Sequence, residues 1–417
     1  MTRLLAVADS DSYLKWAAGL LDATPEDWVT DLAVVRTPIA PSAAQIAAAV
    51  SGTRAGRAGR ELPPVLPARQ LRRAAERFRP DVVLLACTGP VVDALAATPA
   101  GPLSGPLPGR GPRPVLVSGL PGISVPATEK AWLFRSGCDL FVVHSAREVA
   151  EFSEIGARLG GGGAVALARL PYLDLLHREA GGDDAGGVRD RVVFATQAKV
   201  PRRREERERI LLALAELARA RPGLDVVVKL RARDDERQTH NERHHYERLW
   251  TAMEAEGRVP PGAVRFAAGP MHEHLSRAAG FVTVSSTAAL EAIAANVPLL
   301  VLSDFGVGAE MINLVFEGSG CLGTLGDLAE ADFRFPAEEW CRDNYFHDRS
   351  AGDWTGRVAE LVAAARAGTL EPARSLLDGP EHAAARRRAR LRLEVPPRVL
   401  RYGYRAKRRM RGYLKAF

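Results

Sequence analysis

Residues 281–306 read FVTVSSTAALEAIAANVPLLVLSDFG, and the order of residue types in this stretch decides the fold. Phe281 to Ser285 are mostly apolar and β-prone, and a Ser-Ser-Thr turn follows. An alanine-rich helical run then carries a single acid, Glu291, and a second apolar strand begins at Pro298. Strand, hydroxyl-bearing turn, helix, strand is the unit of a parallel sheet covered by helices on both faces.

The same alternation extends in both directions. Apolar strand-like runs fall at 3–9, 28–35, 81–87, 114–120, 139–145 and 164–170, with helical candidates at 11–23, 41–50, 67–78, 126–136 and 145–159. A Gly/Asp-rich segment, EAGGDDAGG, follows at 179–187, and the pattern restarts. Strands are expected at 191–197, 225–231, 263–269, 281–285 and 298–303, and helices at 203–220, 241–256, 271–278 and 287–295. The expected organisation is α/β: an N-terminal doubly wound domain at 1–178, a linker at 179–190, a second such domain at 191–375, and a tail at 376–417. Gly/Pro-rich passages at 51–67 and 98–114 read as loops.

Composition bounds the class. The chain has 417 residues, too many for one core to keep growing, and 47% of them are hydrophobic, enough to fill two. The N-terminal apolar run is too short for a secretion signal and no uncharged run approaches a membrane span, so a cytoplasmic protein is expected. Four scattered cysteines without ligand spacing suit buried thiols better than disulfides or zinc. The net charge of +7 is unevenly placed: residues 386–417 hold 13 Lys and Arg against one acid, and the rest hold 44 against 49. The basic balance therefore concerns the tail alone.

In an open parallel sheet, ligands bind beyond the carboxyl ends of the strands, where helices begin with unpaired N–H groups. In the second domain that rule selects Gln197 and Lys199, Lys229 and Arg231, Gly269 with His272, the turn Ser285-Ser286-Thr287, and Ser303 to Phe305. The turn either offers hydroxyls and N–H groups to phosphate oxygens or simply caps a helix. Glu291, one helical turn past Thr287, is placed to reach a ribose diol or to make a local polar contact. Lys229 and Arg231 stand two residues apart at a strand end, so they project to one side and can hold one anion.

The run HEHLSRAAGFVTVSSTAALEAIAANVPLLVLSDFG resembles the donor-binding segment of GT-B glycosyltransferases, and the tandem domains are similar to that architecture over residues 1–370. The stretches ADSDSYLKW, GLPGISVPATEKAW, VVHSAREV, FATQAKVP and VVKLRAR resemble a little-characterised bacterial family assigned to the glycosyltransferases. The Ser-Ser-Thr turn is also similar to the Ser/Thr motif of bacterial sialyl- and polysialyltransferases, whose His-Pro phosphate motif has no match here. The resemblance implies two Rossmann-like domains facing across a cleft, and a nucleotide-sugar donor whose phosphates meet Ser285, Ser286 and Thr287 and whose ribose meets Glu291. It further implies a glycan or lipid-linked acceptor of the cell envelope and no metal or other cofactor.

The first domain is then expected to hold the acceptor and the base. Asp9-Ser10-Asp11-Ser12 closes the first strand and opens a helix, so Asp9 or Asp11 can act as general base, or all four can serve as ordinary helix-start residues. Ser10, Ser12, Lys15 and the glycine loop from Gly119 to Gly122 would line the acceptor side. His144, at a strand end, is either a base or a satisfied structural histidine; Ser145 and Glu148 have capping-box spacing. His240 and His244 share a helical face but lack further ligands, so no metal is expected. His272 and His274 read as residues preceding a helix, and PRRREERER (201–209) as a solvated charged face.

Two alternatives remain open. The strand-DxD pattern suits a haloacid-type phosphotransfer enzyme with Asp9 as nucleophile and Asp11 as acid, although Asp183-Asp184, its acidic pair, falls in the linker. A noncatalytic nucleotide-binding partner of the same fold is the other. In the tail, Val399, Tyr402, Ala406, Met410, Tyr413, Leu414 and Phe417 recur at helical spacing among arginines and lysines. This basic amphipathic helix suits an anionic membrane surface, peripheral on the inner face of the cell membrane, or docking on the first domain; nucleic acid fits the single apolar stripe less well.

Overall fold

The computed structural model describes residues 1–57, 61–96, 103, 105, 112–173, 188–230 and 242–395. It divides into two compact units, one of residues 1–171 and 348–417, the other of residues 172–347.

The first unit alternates strand and helix: β1 (Arg3–Ala8), α1 (Asp11–Asp22), β2 (Val29–Val35), α2 (Ala43–Val50), β3 (Val65–Leu66), α3 (Ala68–Phe78), β4 (Val82–Ala86) and α4 (Gly89–Ala96). It continues with β5 (Val115–Gly119), α5 (Glu129–Leu133), β6 (Leu140–Val143), α6 (Ala146–Leu159) and β7 (Ala164–Leu167). All pairings are parallel, in the order β3-β2-β1-β4-β5-β6-β7. Because successive side chains point to opposite faces, each strand feeds two cores. Leu4, Ala6 and Ala8 pack on α1, while Leu5 and Val7 pack with Leu71 and Ala75 of α3. That double burial is why the strands read as unbroken apolar runs.

The second unit repeats the scheme with β8 (Arg191–Ala195), α7 (Arg204–Ala220), β9 (Asp225–Lys229), α8 (Tyr246–Ala255), β10 (Arg265–Ala267) and α9 (Met271–Leu275). Then come β11 (Ala278–Thr283), α10 (Ala288–Ala294), β12 (Leu299–Leu302), β13 (Leu322–Gly323), α11 (Leu325–Glu330) and α12 (Glu338–Asp343). The strand order is β10-β9-β8-β11-β12-β13.

The chain then returns to the first unit. In α13 (Trp354–Ala367), Trp354, Val358, Val362 and Ala365 enter the core beneath α1, with the Trp354 ring edge-on to Trp28 at 6.5 Å. The segment 348–375, which sequence reading gives to the second domain, thus belongs to the first unit because its apolar stripe is buried there. In α14 (Pro380–Glu394), Arg386 grips Asp93 through two bonds of 3.1 and 2.9 Å, and Leu393 is buried among α3 and α4 residues. The part of the tail at 386–394 is therefore docked on the first unit; the amphipathic stripe from Val399 to Phe417 lies outside the described residues. So does 174–187, which contains most of the expected linker. Among the described residues no helix is long and apolar enough to cross a membrane, and no group of His, Cys, Asp and Glu is placed to hold a metal ion.

Candidate functional site

Each sheet has one position where the strand order reverses, and there neighbouring strands lead to helices on opposite faces, leaving a crevice at their carboxyl ends. In the second unit this position lies between β8 and β11, and in the first between β1 and β4. A side-chain hydrogen bond spans each one.

In the second unit the bond runs from the Ser285 hydroxyl to Gln197 Oε1, 2.6 Å. The turn around it is largely self-satisfied. The Ser286 N–H donates to Thr283 Oγ1 at 3.1 Å, the Ala288 N–H to Ser286 Oγ at 3.2 Å, and the next two N–H groups to the Ser286 and Thr287 carbonyls. The N–H groups that sequence reading offers to phosphate are therefore mostly spent on the turn. What faces outward is the half-buried Ser286, the exposed Thr287, whose side chain makes no capping bond, and the half-buried Glu291 one turn along α10.

Lys229 ends β9 beside this turn's neighbour β8, and its carbonyl accepts the N–H and hydroxyl of Thr196 at 3.1 and 3.2 Å. Its charge reaches His274, whose imidazole pKa is pushed down first by burial and further by that lysine. His272 and His274 lie within α9 rather than before a helix; His272 is exposed, and His274 is the buried one of the two. Lys199 is exposed on the loop after β8. Arg231, Lys229's expected partner, lies outside the described residues, as does His240.

Arg207 holds this region in place and is absent from the sequence-derived candidates. It is 1% exposed, ion-pairs with Glu242, and stacks over the Tyr246 ring at 4.8 Å. Its guanidinium donates to the carbonyls of Gln197 and Ala198 at 3.0 Å each, of Pro201 at 2.9 Å, and of His244 at 2.6 Å. One buried cation thereby ties the loop carrying Gln197 and Lys199 to the segment entering α8. The reading of 201–209 as a solvated face is corrected at this residue. The signal was available: Arg207 falls three, four and seven residues before Ile210, Leu211 and Leu214, the buried stripe of α7.

In the first unit, Asp9 Oδ2 accepts the Thr88 N–H at 2.9 Å and the Thr88 hydroxyl. Asp9 is 0% exposed, and burial raises its carboxyl pKa, with the Thr88 donors, Ser10 and the Arg135 charge offsetting part of the rise. Arg135, itself buried, donates to Tyr13 Oη at 2.8 Å and to the Gly119 carbonyl at 3.1 Å. Asp9 thus joins two strands from inside the fold through Oδ2, while its buried Oδ1 meets no hydrogen-bond partner among the described residues. Asp11, one residue into α1, keeps 34% of its side chain exposed and pairs with Lys15 at 2.9 Å. Ser12 beside it is exposed, and Ser10 is buried at the helix start without a side-chain capping bond.

His144 is corrected as a base. It is 0% exposed, its Nδ1 meets the Ala168 carbonyl oxygen at 2.8 Å, and its Nε2 takes the Trp16 indole N–H at 2.7 Å. Both ring nitrogens are occupied within the fold. Ser145 accepts the Glu148 N–H at 3.1 Å as the capping spacing predicts, and Glu148 in turn accepts the N–H groups of His144 and Ser124. Gly119 serves packing: a Cβ there would stand 2.4 Å from Trp16 and 2.7 Å from the Val142 carbonyl oxygen. Gly122 is half-buried in the loop beyond β5, its carbonyl accepting the Ser124 hydroxyl at 3.2 Å.

Two units, each a doubly wound parallel sheet with a polar crevice at its switch point, define the GT-B class of architecture. The chain belongs to the family described as "Putative glycosyltransferase (DUF6716)", which it matches over residues 4–361. It is similar in fold to a Staphylococcus aureus MnaA–UDP co-structure, with 12% identity over 89% of this chain and 98% of the other and a TM-score of 0.53. A UDP-GlcNAc 2-epimerase from Neisseria meningitidis bound to UDP-GlcNAc is similar at 12% identity over 88% and 100% of the two chains, TM-score 0.51. A search of the curated proteins finds no match. The likeness of the Ser-Ser-Thr turn to sialyltransferases is not shown by these comparisons.

Proposed function

We propose that the protein transfers a sugar from a nucleotide-sugar donor, a uridine diphosphate sugar, to a hydroxyl of a cell-envelope glycan or lipid-linked acceptor. The observation that carries the reading is the switch point of the second unit, where Ser285 and Gln197 join β11 to β8 and leave Ser286, Thr287 and Lys229 around the crevice mouth. Family membership and the UDP and UDP-GlcNAc of the similar structures support the choice of donor.

In this reading Lys229 and Lys199 face the diphosphate while the Ser286 and Thr287 hydroxyls donate to its oxygens, and Glu291 takes the ribose. As the sugar leaves, negative charge grows on the diphosphate. Fixed cations and hydroxyl donors stabilise that charge more than they stabilise the intact donor, which is the differential binding that lowers a barrier. These groups do so without recruiting a metal. Asp11 is the base in the first unit, its carboxylate accessible and next to Lys15, while Asp9 positions the strand end that carries it.

The test is UDP release from UDP-sugars with envelope glycan and lipid-linked acceptors. Release that requires an acceptor, and a labelled sugar recovered on that acceptor, is the expected result. UDP bound without turnover by any acceptor would instead leave a noncatalytic nucleotide-binding protein.

A further inference from the structure

The first unit also holds a cavity rich in arginine. It measures about 330 Å³ and lies among α3, α4 and α14, and its walls include Arg69, Arg72, Arg73, Arg390, Glu76 and Glu394. The four arginines outnumber the two acids. On α3, positions 69, 72, 73 and 76 recur at helical spacing, so the three guanidiniums and Glu76 share one face. Glu76 is taken by Arg72 at 3.1 Å. From the facing helix, the Arg390 Nε is buried and meets no acceptor among the described residues. The floor is apolar, formed by Ala68, Ala94 and Leu393.

From this arrangement we infer a binding site for a phosphoryl group carried on a small organic body. Guanidiniums match tetrahedral oxyanions through paired N–H donors, and gathering several of them costs repulsion that a bound anion relieves. An apolar floor raises the strength of those interactions by keeping water from one side. The cavity is larger than a bare phosphate needs and stands at the small end of ordinary ligand sites, roughly 300–1,000 Å³. The apolar floor would take the glycerol or sugar part of a phosphate ester. Such an ester comes either from a phospholipid headgroup or from a free phosphorylated metabolite, and both present the same chemistry to the arginines. Neither depends on the nucleotide reading of the second unit.

The experiment uses the full chain and two probes, sn-glycerol 3-phosphate in calorimetry and phosphatidylcholine vesicles with or without phosphatidic acid in sedimentation. Arg69→Gln and Arg390→Gln are compared with Arg219→Gln, which removes the same charge from an exposed position of the second unit. Unchanged melting of the three variants establishes that they fold. Losing one charge-assisted contact is expected to weaken binding about tenfold or more. Loss of glycerol phosphate binding in the two groove variants but not in Arg219→Gln supports a free ester. The same pattern only with phosphatidic acid vesicles supports a headgroup. No binding of either probe, or equal binding by all three variants and the native chain, overturns the site.

Discussion

The two switch points are built alike and filled differently. In each, a side-chain hydrogen bond joins the strand that opens the unit to the strand that returns beside it. In the first unit the pair is Asp9 with Thr88, acidic and backed by Arg135 and Tyr13; in the second it is Ser285 with Gln197, neutral, with Lys229 nearby; each pair has one buried and one half-buried member. The same topology therefore yields an acidic joint in one unit and a hydroxylic and cationic mouth in the other. A crevice supplied by topology becomes an anion site only where its side chains leave donors facing outward.

The largest expected effect breaks the second unit's mouth at its support. Arg207→Ala strands Glu242 and four backbone carbonyls, and removing one partner of a buried ion pair costs about 3–5 kcal/mol. Urea denaturation should show that loss. A change under 1 kcal/mol would mean that the loop from Gln197 to Pro201 holds itself.

Next comes the contrast between the two aspartates. Asp11→Asn is expected to lower kcat at least about 100-fold with little change in melting, the usual scale for losing a general base. Asp9→Asn keeps an acceptor for the Thr88 N–H, and its signature is in stability against pH. The folded-state carboxyl titrates above its ordinary value of 3.8, so folding favours the protonated form. Native stability relative to Asp9→Asn is therefore greatest below that ordinary value and declines as pH rises through the raised folded value. Denaturant midpoints of both proteins from pH 3 upward would read the divergence, and a constant difference across the range contradicts a raised pKa.

Smaller effects sharpen the comparison. Gly119→Ala forces a methyl against Trp16 and the Val142 carbonyl, an overpacking cost of about 1–3 kcal/mol expected in thermal unfolding. Ser285→Ala removes one hydrogen bond, about 1 kcal/mol, and should loosen Gln197 with less effect on the rest of the unit. Amide exchange in residues 196–199 measures it.

The central strands were legible because burial on both faces leaves a continuous apolar run, as in Val82 to Ala86. The two-residue edge strands β3 and β13 left no such run. The return of α13 to the first unit is a long-range packing event, and a local pattern shows only that the helix has a buried stripe, not against which sheet. The strand-end rule selected Gln197, Lys229 and the Ser-Ser-Thr turn, which lie at or just beyond the carboxyl ends of β8, β9 and β11. Applied equally to β4 it would have reached Thr88. Asp9 and His144 stand at strand ends as read, but sequence does not report that Asp9 bonds Thr88 or that His144 bonds Trp16 and Ala168. Arg207 was hidden by its neighbours' charges, although its register with Ile210 and Leu214 marks the buried side of α7.

Phosphate recognition by the second unit is proposed to reside at the mouth formed by Ser286, Thr287 and Lys229. Calorimetric titration of UDP into the native protein, Thr287→Val, Lys229→Met and Asp11→Asn tests it most directly. Binding is expected to weaken about tenfold or more in the first two variants and to stay unchanged in Asp11→Asn. Equal affinity in all four proteins, or weakening only in Asp11→Asn, would contradict it.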